Sequence, residues 1–234
     1  MIAPPSIQKE ICIRGVFIDG VCIRFVDSAK NLGFILDEVL SFETQVNKVM
    51  KSSYAIIKKL HQVKGFLSEG HLKQLVCSYV LQNLDYCNSL YYGMNSHLIN
   101  KLQRIQNCAA RLIFKDRIST AKLDEKLLEL HWLKVKQRII YKQMLIVHNC
   151  LHLNAPEEIM SLLGYAESIR TMNLQEKKYV NKYGERAFSH SGPKLWNLLP
   201  KNIREEHDTD QFKTSLKSFL ITKGEEYCRW IKRR

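Results

Sequence analysis

Long apolar runs are missing from this chain. No stretch approaches the roughly 18 consecutive apolar residues of a membrane helix, so no membrane partner is expected. Gly and Pro are scarce, 10 and 5 among 234 residues, which excludes collagen-like and low-complexity classes. The start Met1-Ile2-Ala3-Pro4-Pro5 has neither the basic opening nor the apolar run of a signal peptide. Seven cysteines, an odd number without tightly paired spacings, argue for reduced thiols in a nuclear or cytoplasmic setting. There is no Gly-x-Ser-x-Gly elbow and no Gly-rich phosphate loop, and Gly33 alone does not make one. No two Asp residues are adjacent anywhere. These absences point away from an enzyme and away from a bound cofactor or metal.

What is present is positive charge. Lys and Arg number 36 against 23 acids, a net of +13 with hydrophobic content at an ordinary 45%. Such a balance favours a polyanionic partner, most often nucleic acid. The charge is uneven: residues 42–115 hold 10 basic and 3 acidic side chains, whereas residues 1–41 hold 4 and 5.

The patterning predicts a mainly α protein behind a short β segment. Val16-Phe17-Ile18, Asp19-Gly20 and the alternating Val21, Ile23 and Phe25 read as a hairpin, because Asp-Gly supplies the φ > 0 positions of a tight turn. Ile11 and Ile13 alternate in the same way, and a further short strand is expected from Asn31 to Leu36. From Ser41, placed as an N-cap, the period turns helical. Phe42, Val46, Val49, Ser53, Ile56 and Leu60 form one face, and Gly65 ends the unit. A second helical stretch spans about 68–90, broken near Asn83. The clearest helix covers about 96–115, with Leu98, Leu102, Ile105, Ala109 and Leu112 as its core stripe. Further helices are expected at 121–130, 133–152, 156–163 and 208–223, the last opened by Asp208 and Gln211 in a capping-box spacing. Short helices and loops are expected over 165–207, and a frayed basic tail from Arg229.

Seven local strings occur in a fixed order: Asn31-Leu32-Gly33-Phe34-Ile35-Leu36-Asp37, Leu40-Ser41-Phe42, Leu84-Asp85-Tyr86-Cys87-Asn88-Ser89-Leu90, Leu102-Gln103-Arg104-Ile105-Gln106-Asn107-Cys108-Ala109-Ala110-Arg111, Leu130-His131-Trp132-Leu133, Tyr183-Gly184-Glu185-Arg186-Ala187-Phe188 and Leu195-Trp196-Asn197-Leu198-Leu199-Pro200. Their succession resembles the C-terminal part of the reverse transcriptase polyprotein of jockey-like LINE (non-LTR) retrotransposons, over roughly Ile18 to Leu220. The resemblance implies three parts: 1–41 as the end of a polymerase palm, 42–118 as a thumb-like helical bundle, and 119–234 as a helical C-terminal extension. It also implies RNA or an RNA–DNA duplex as partner, with another polymerase part or element-encoded protein as the alternative. The family's paired aspartates, which hold two metal ions for nucleotidyl transfer, have no counterpart here. Polymerase activity is therefore not expected.

Two basic runs carry the binding expectation. Lys101, Arg104, Arg111 and Lys115 recur beside the core stripe of the 96–115 helix, and Lys48, Lys51 and Lys58 recur on the helix after Ser41. Basic helix faces track phosphates without reading bases; the alternative is a solvated face. His148, Cys150 and His152 are spaced by two, which on a helix turns successive side chains about 200° apart and denies one metal all three. Trp132 and Trp196 read as packing anchors.

Overall fold

The computed structural model describes residues 15–115, 119–152, 155–165, 173–179 and 183–230. The expected strand through Ile11 and Ile13 lies outside them, as does the end of the basic tail. The architecture is mainly α, with two short antiparallel hairpins ahead of the helices. In the first, β1 (Gly15–Ile18) pairs β2 (Val21–Arg24) with Ile18 opposite Val21. That leaves Asp19 and Gly20 as a two-residue turn, at φ 48° and 79°. The single strand expected at Asn31–Leu36 is instead a second hairpin. β3 (Ser28–Asn31) turns through Leu32 and Gly33, at φ 46° and 89°, into β4 (Phe34–Asp37). Two consecutive left-handed residues reverse the chain there, and the apolar Leu32 masks that turn in the sequence.

Helix α1 (Glu43–Val63) starts one residue later than a Ser41 cap implies. Phe42 takes the cap position at φ 62° because its ring is buried between Phe34 and Tyr91 at centroid distances of 5.7 Å and 5.9 Å from them. Asp37 compensates by accepting the backbone N–H groups of Ser41 and Phe42 at 2.8 Å and 2.7 Å. Next, α2 (Glu69–Val76) runs through a π-helical turn at Cys77–Leu81 into α3 (Gln82–Asp85). The break therefore falls at Tyr86, not near Asn83. Helix α4 (Ser96–Ile113) buries all five residues of the expected stripe. α5 (Leu123–Glu129) and α6 (Val135–Leu151) follow, then α7 (Glu157–Met160) and a two-residue pairing of β5 (Gly164–Tyr165) with β6 (Leu174–Gln175). α8 (Phe188–Asn197) and α9 (Lys201–Arg204) lead to α10 (Thr209–Trp230), seven residues longer than expected at its C-terminal end. Asp208 does cap it, its carboxylate accepting Gln211 N–H at 2.7 Å, while Glu206 takes the return bond to the Asp208 N–H.

Apolar burial is divided in two. One core gathers Phe34 and α1 to α5, reaching Trp132, Val135 and Ile139. The other gathers Leu133, Ile140, Met144, Val147 and Cys150 with Trp196, Phe212, Leu216 and Leu220. Helix α6 thus contributes to both. Arg138 on α6 also donates to both Asp85 carboxylate oxygens, its Nε at 2.7 Å from Oδ1, tying α6 to α3. Trp132 and Trp196 both sit in core, as their size favours.

The β1–β2 ribbon contrasts with this. Its Val16, Phe17, Ile18, Val21 and Ile23 are all about half exposed or more. A two-stranded ribbon without a buried face is marginal in water. Its amides should exchange faster than those of α4 by orders of magnitude in a hydrogen-exchange time course. Slowest exchange around Asp19 and Gly20 would contradict that assignment of stability.

Candidate nucleic-acid interface

Helices α1 and α4 lie side by side in the same sense. Three contacts fix this: Lys101 Nζ lies 3.9 Å from Glu43, Tyr54 neighbours Cys108 and Arg104, and Lys115 Nζ donates to Leu67 O at 2.9 Å. The apolar stripes of both helices turn inward. What remains outside is set by helical arithmetic. Lys48, Lys51 and Lys58 fall within about 80° of arc on α1, opposite Val46, Val49 and Leu60. Arg104 and Arg111 fall within about 20° of each other on α4. Across the pair, Tyr54 of α1 lies beside Arg104 of α4, and Lys101 of α4 lies near Glu43 of α1.

They are not equivalent. Lys51, Lys58 and Arg104 are exposed and make no ion pair among the described residues. Arg111 is half-buried. Lys48 is exposed, but its Nζ donates to Gly33 O at 2.9 Å, so it also holds the β3–β4 turn against α1. Lys101 is drawn toward Glu43, and Lys115, at φ 55° just past the helix, is bound to Leu67 O. Lys51, Lys58 and Arg104 are thus the exposed cations of the two helices that make no ion pair among the described residues, whereas Lys48, Lys101 and Lys115 are held by other groups and Arg111 is half-buried. Sequence reasoning missed Tyr54, which lies between the helices. Burial first, then the neighbouring Cys108, raises its phenol pKa against the opposing pull of Arg104. Its position one turn past Lys51 was legible, but not that it faces Arg104.

The histidines carry a different chemistry. His148 on α6 and His152 just past its end, four residues apart, bring their rings to 4.3 Å, and His207 lies 5.1 Å from His152. Sequence reasoning missed His207. Among the described residues, no group of three His, Cys, Asp or Glu side chains is placed to hold a metal ion. His148 is fully buried, stacked 4.1 Å from Phe212, with Nε2 bonded to Glu206 O at 3.0 Å. Burial pushes its pKa down, against the upward pull of that carbonyl and of Asn149. Burial also lowers His152, helped by His148 and His207. Imidazoles that resist protonation when folded, but accept protons near pH 6.5 when unfolded, make unfolding easier as pH falls through that value. The urea midpoint should be level above about pH 7 and fall between about pH 6.5 and 5.5, and His148→Gln should flatten that fall. A midpoint equal at both ends of the window would contradict the buried neutral imidazole.

Among the described residues, no helix is long and apolar enough to cross a membrane. Comparison of the chain with family models, with curated proteins and with solved structures found no match.

Proposed function

We propose that the chain is a non-catalytic piece of a LINE-type reverse transcriptase that holds a nucleic-acid backbone without reading its sequence. The observation that carries this is the exposure of Lys51 and Lys58 on α1 and of Arg104 on the neighbouring α4, none of them in an ion pair among the described residues. Cations spread along two adjacent helices suit a line of phosphates, and phosphate contacts carry no base information. The ordered strings resemble a family whose thumb grips a duplex, and they support reading this pair as thumb-like. The absence of adjacent aspartates in the sequence supports a role without nucleotidyl transfer.

The test is a salt titration by fluorescence anisotropy, with an RNA–DNA duplex and with single strands of two unrelated sequences. Not all seven cations reach one duplex. About four neutralised phosphates give a log–log slope on the order of −3 to −4, nearly the same for both sequences. Binding that ignores salt, or that follows one sequence, overturns the reading.

A second reading has its own observation. The half-exposed apolar side chains of the β1–β2 ribbon suit docking onto another polymerase part, where strand edges and apolar faces would be covered. Under that reading the α1–α4 cations leave nucleic-acid affinity unchanged when reversed.

A further inference from the structure

Phe66 is the most exposed large apolar side chain among the described residues, at 90%. Its place follows from the turn that joins α1 to α2. After Val63 the chain makes a 3₁₀ turn, Lys64–Phe66, and Leu67 then extends at φ −111° and ψ 141°. Leu67 packs against the first core, and Phe66 beside it is left in water. The turn is held from two sides. Lys115 Nζ, arriving from the end of α4, donates to Leu67 O at 2.9 Å, and Ser68 Oγ accepts the His71 N–H at 3.2 Å to cap α2. A held turn thus presents a bare aromatic ring: among the described residues, no other ring and no cation packs on its face.

The charge at this end of the helix pair is positive. Lys58 and Lys59 lie on the last turns of α1, Lys64 opens the turn with its Nζ 3.1 Å from His61 Nε2, and α4 runs out into Lys115. None of these four lysines makes an ion pair among the described residues. Of the three acids between residues 42 and 115, Glu43 sits at the opposite end of α1 and Asp85 is bound by Arg138, which leaves only Glu69 here. A single exposed Phe is ordinary on a protein surface. One set among cations suits a partner that joins negative charge to apolar surface, which describes a nucleic acid and an anionic membrane. A membrane takes up the apolar face of an amphipathic helix, but that face of α1 is buried in the first core. A nucleobase needs one flat ring with cations nearby for the phosphates, and this turn offers both.

We propose that Phe66 stacks on an unpaired base, so that the chain favours a duplex with a single-stranded extension over a blunt one. The inference deepens the backbone-binding reading above and rests on it for the choice of nucleic acid. Inside a duplex each base is covered by its neighbours, so a ring finds a free base face only at a duplex end or where one strand runs on alone. The lysines around Phe66 supply phosphate contacts for a strand that runs on, and a blunt end would leave them unused. Lys51 and Lys58 are seven residues apart, about 10 Å along the axis of α1, and Phe66 follows eight residues later. A strand tracked by these lysines toward the C-terminal end of α1 therefore arrives at the turn that carries the ring.

The experiment uses the full chain with a blunt RNA–DNA duplex, the same duplex with a short single-stranded extension carrying 2-aminopurine, and vesicles of equal parts phosphatidylcholine and phosphatidylserine. The extension should tighten binding by about fivefold or more, the effect of one stacked base, and the 2-aminopurine fluorescence should be quenched. Phe66→Ala should abolish both effects and leave blunt-duplex affinity as it was, while Phe66→Tyr should retain both. The ring fills no core, so both variants should keep the parent's circular dichroism. A gain that survives Phe66→Ala comes from the added phosphates alone and overturns the proposal, as does an unquenched 2-aminopurine. Vesicle binding that needs Phe66, with no gain from the extension, assigns the ring to a lipid surface and overturns it too. Blunt-duplex binding that depends on Arg104 and Arg111, with no gain from the extension, overturns the stacking and leaves the interface reading. A Phe66-dependent gain in a chain indifferent to Arg104 and Arg111 overturns the interface reading alone, and a chain that binds neither duplex overturns both.

Discussion

Trp196→Ala should cost about 3–5 kcal/mol of folding stability, the range for emptying a buried Trp site. Trp196 is fully buried in the second core and packs against Phe212 at 5.8 Å, and Phe212 in turn stacks on His148. The indole cannot be replaced by a local collapse, because α6, α8 and α10 all meet around it. A domain of ordinary stability has about 5–15 kcal/mol to lose, so the variant forfeits a large part of the total. Urea unfolding followed by circular dichroism should show the midpoint dropping sharply with its slope preserved. A midpoint within the error of the parent chain would mean that Trp196 is not the anchor its burial implies.

Arg104→Glu/Arg111→Glu should weaken duplex binding roughly 50-fold at 0.1 M salt, since each lost phosphate contact removes about 0.9 from the log–log slope. The slope itself should become shallower by about 1.8 on the same reasoning. Both residues lie on the outer flank of α4, away from the fully buried Leu102, Ile105 and Ala109. The variant should therefore keep the parent's helicity and urea midpoint. All sequences should lose affinity about equally, because phosphate contacts position a duplex without specifying it. A folded double variant with parental affinity and salt slope would remove α4 from the interface and leave the docking reading in its place.

Much of the helical layout could be read from periodicity. The α4 stripe was legible because five apolar positions recur at three- and four-residue steps, and all five are buried. The Asp19-Gly20 turn was legible because its residue types tolerate φ > 0. The errors have a shared cause in tertiary contacts overriding local preference. Phe42 accepts a left-handed backbone at the α1 start because its ring is wanted between Phe34 and Tyr91. Gln45, which looks like a surface residue, is buried because its side chain accepts the Ile35 N–H at 3.0 Å. The α1–α4 cations were visible as two separate runs, but that Tyr54 of α1 lies beside Arg104 of α4 depends on how the helices pair.

The division of α6 between two cores sets an order of events during synthesis. Val135 and Ile139 belong to the first core, while Ile140, Met144, Val147 and Cys150 belong to the second. A nascent chain that has left the ribosome only as far as Trp132 lacks the helix that closes the first core. Once α6 emerges, that core can seal, but the opposite side of the same helix then faces water until α8 and α10 arrive some fifty to seventy residues later. Translation adds about 5–20 residues per second, so this half-clad helix persists for several seconds in each round of synthesis. That interval is when the chain is most open to capture by chaperones and to aggregation, and slow codons placed after Leu151 would lengthen it.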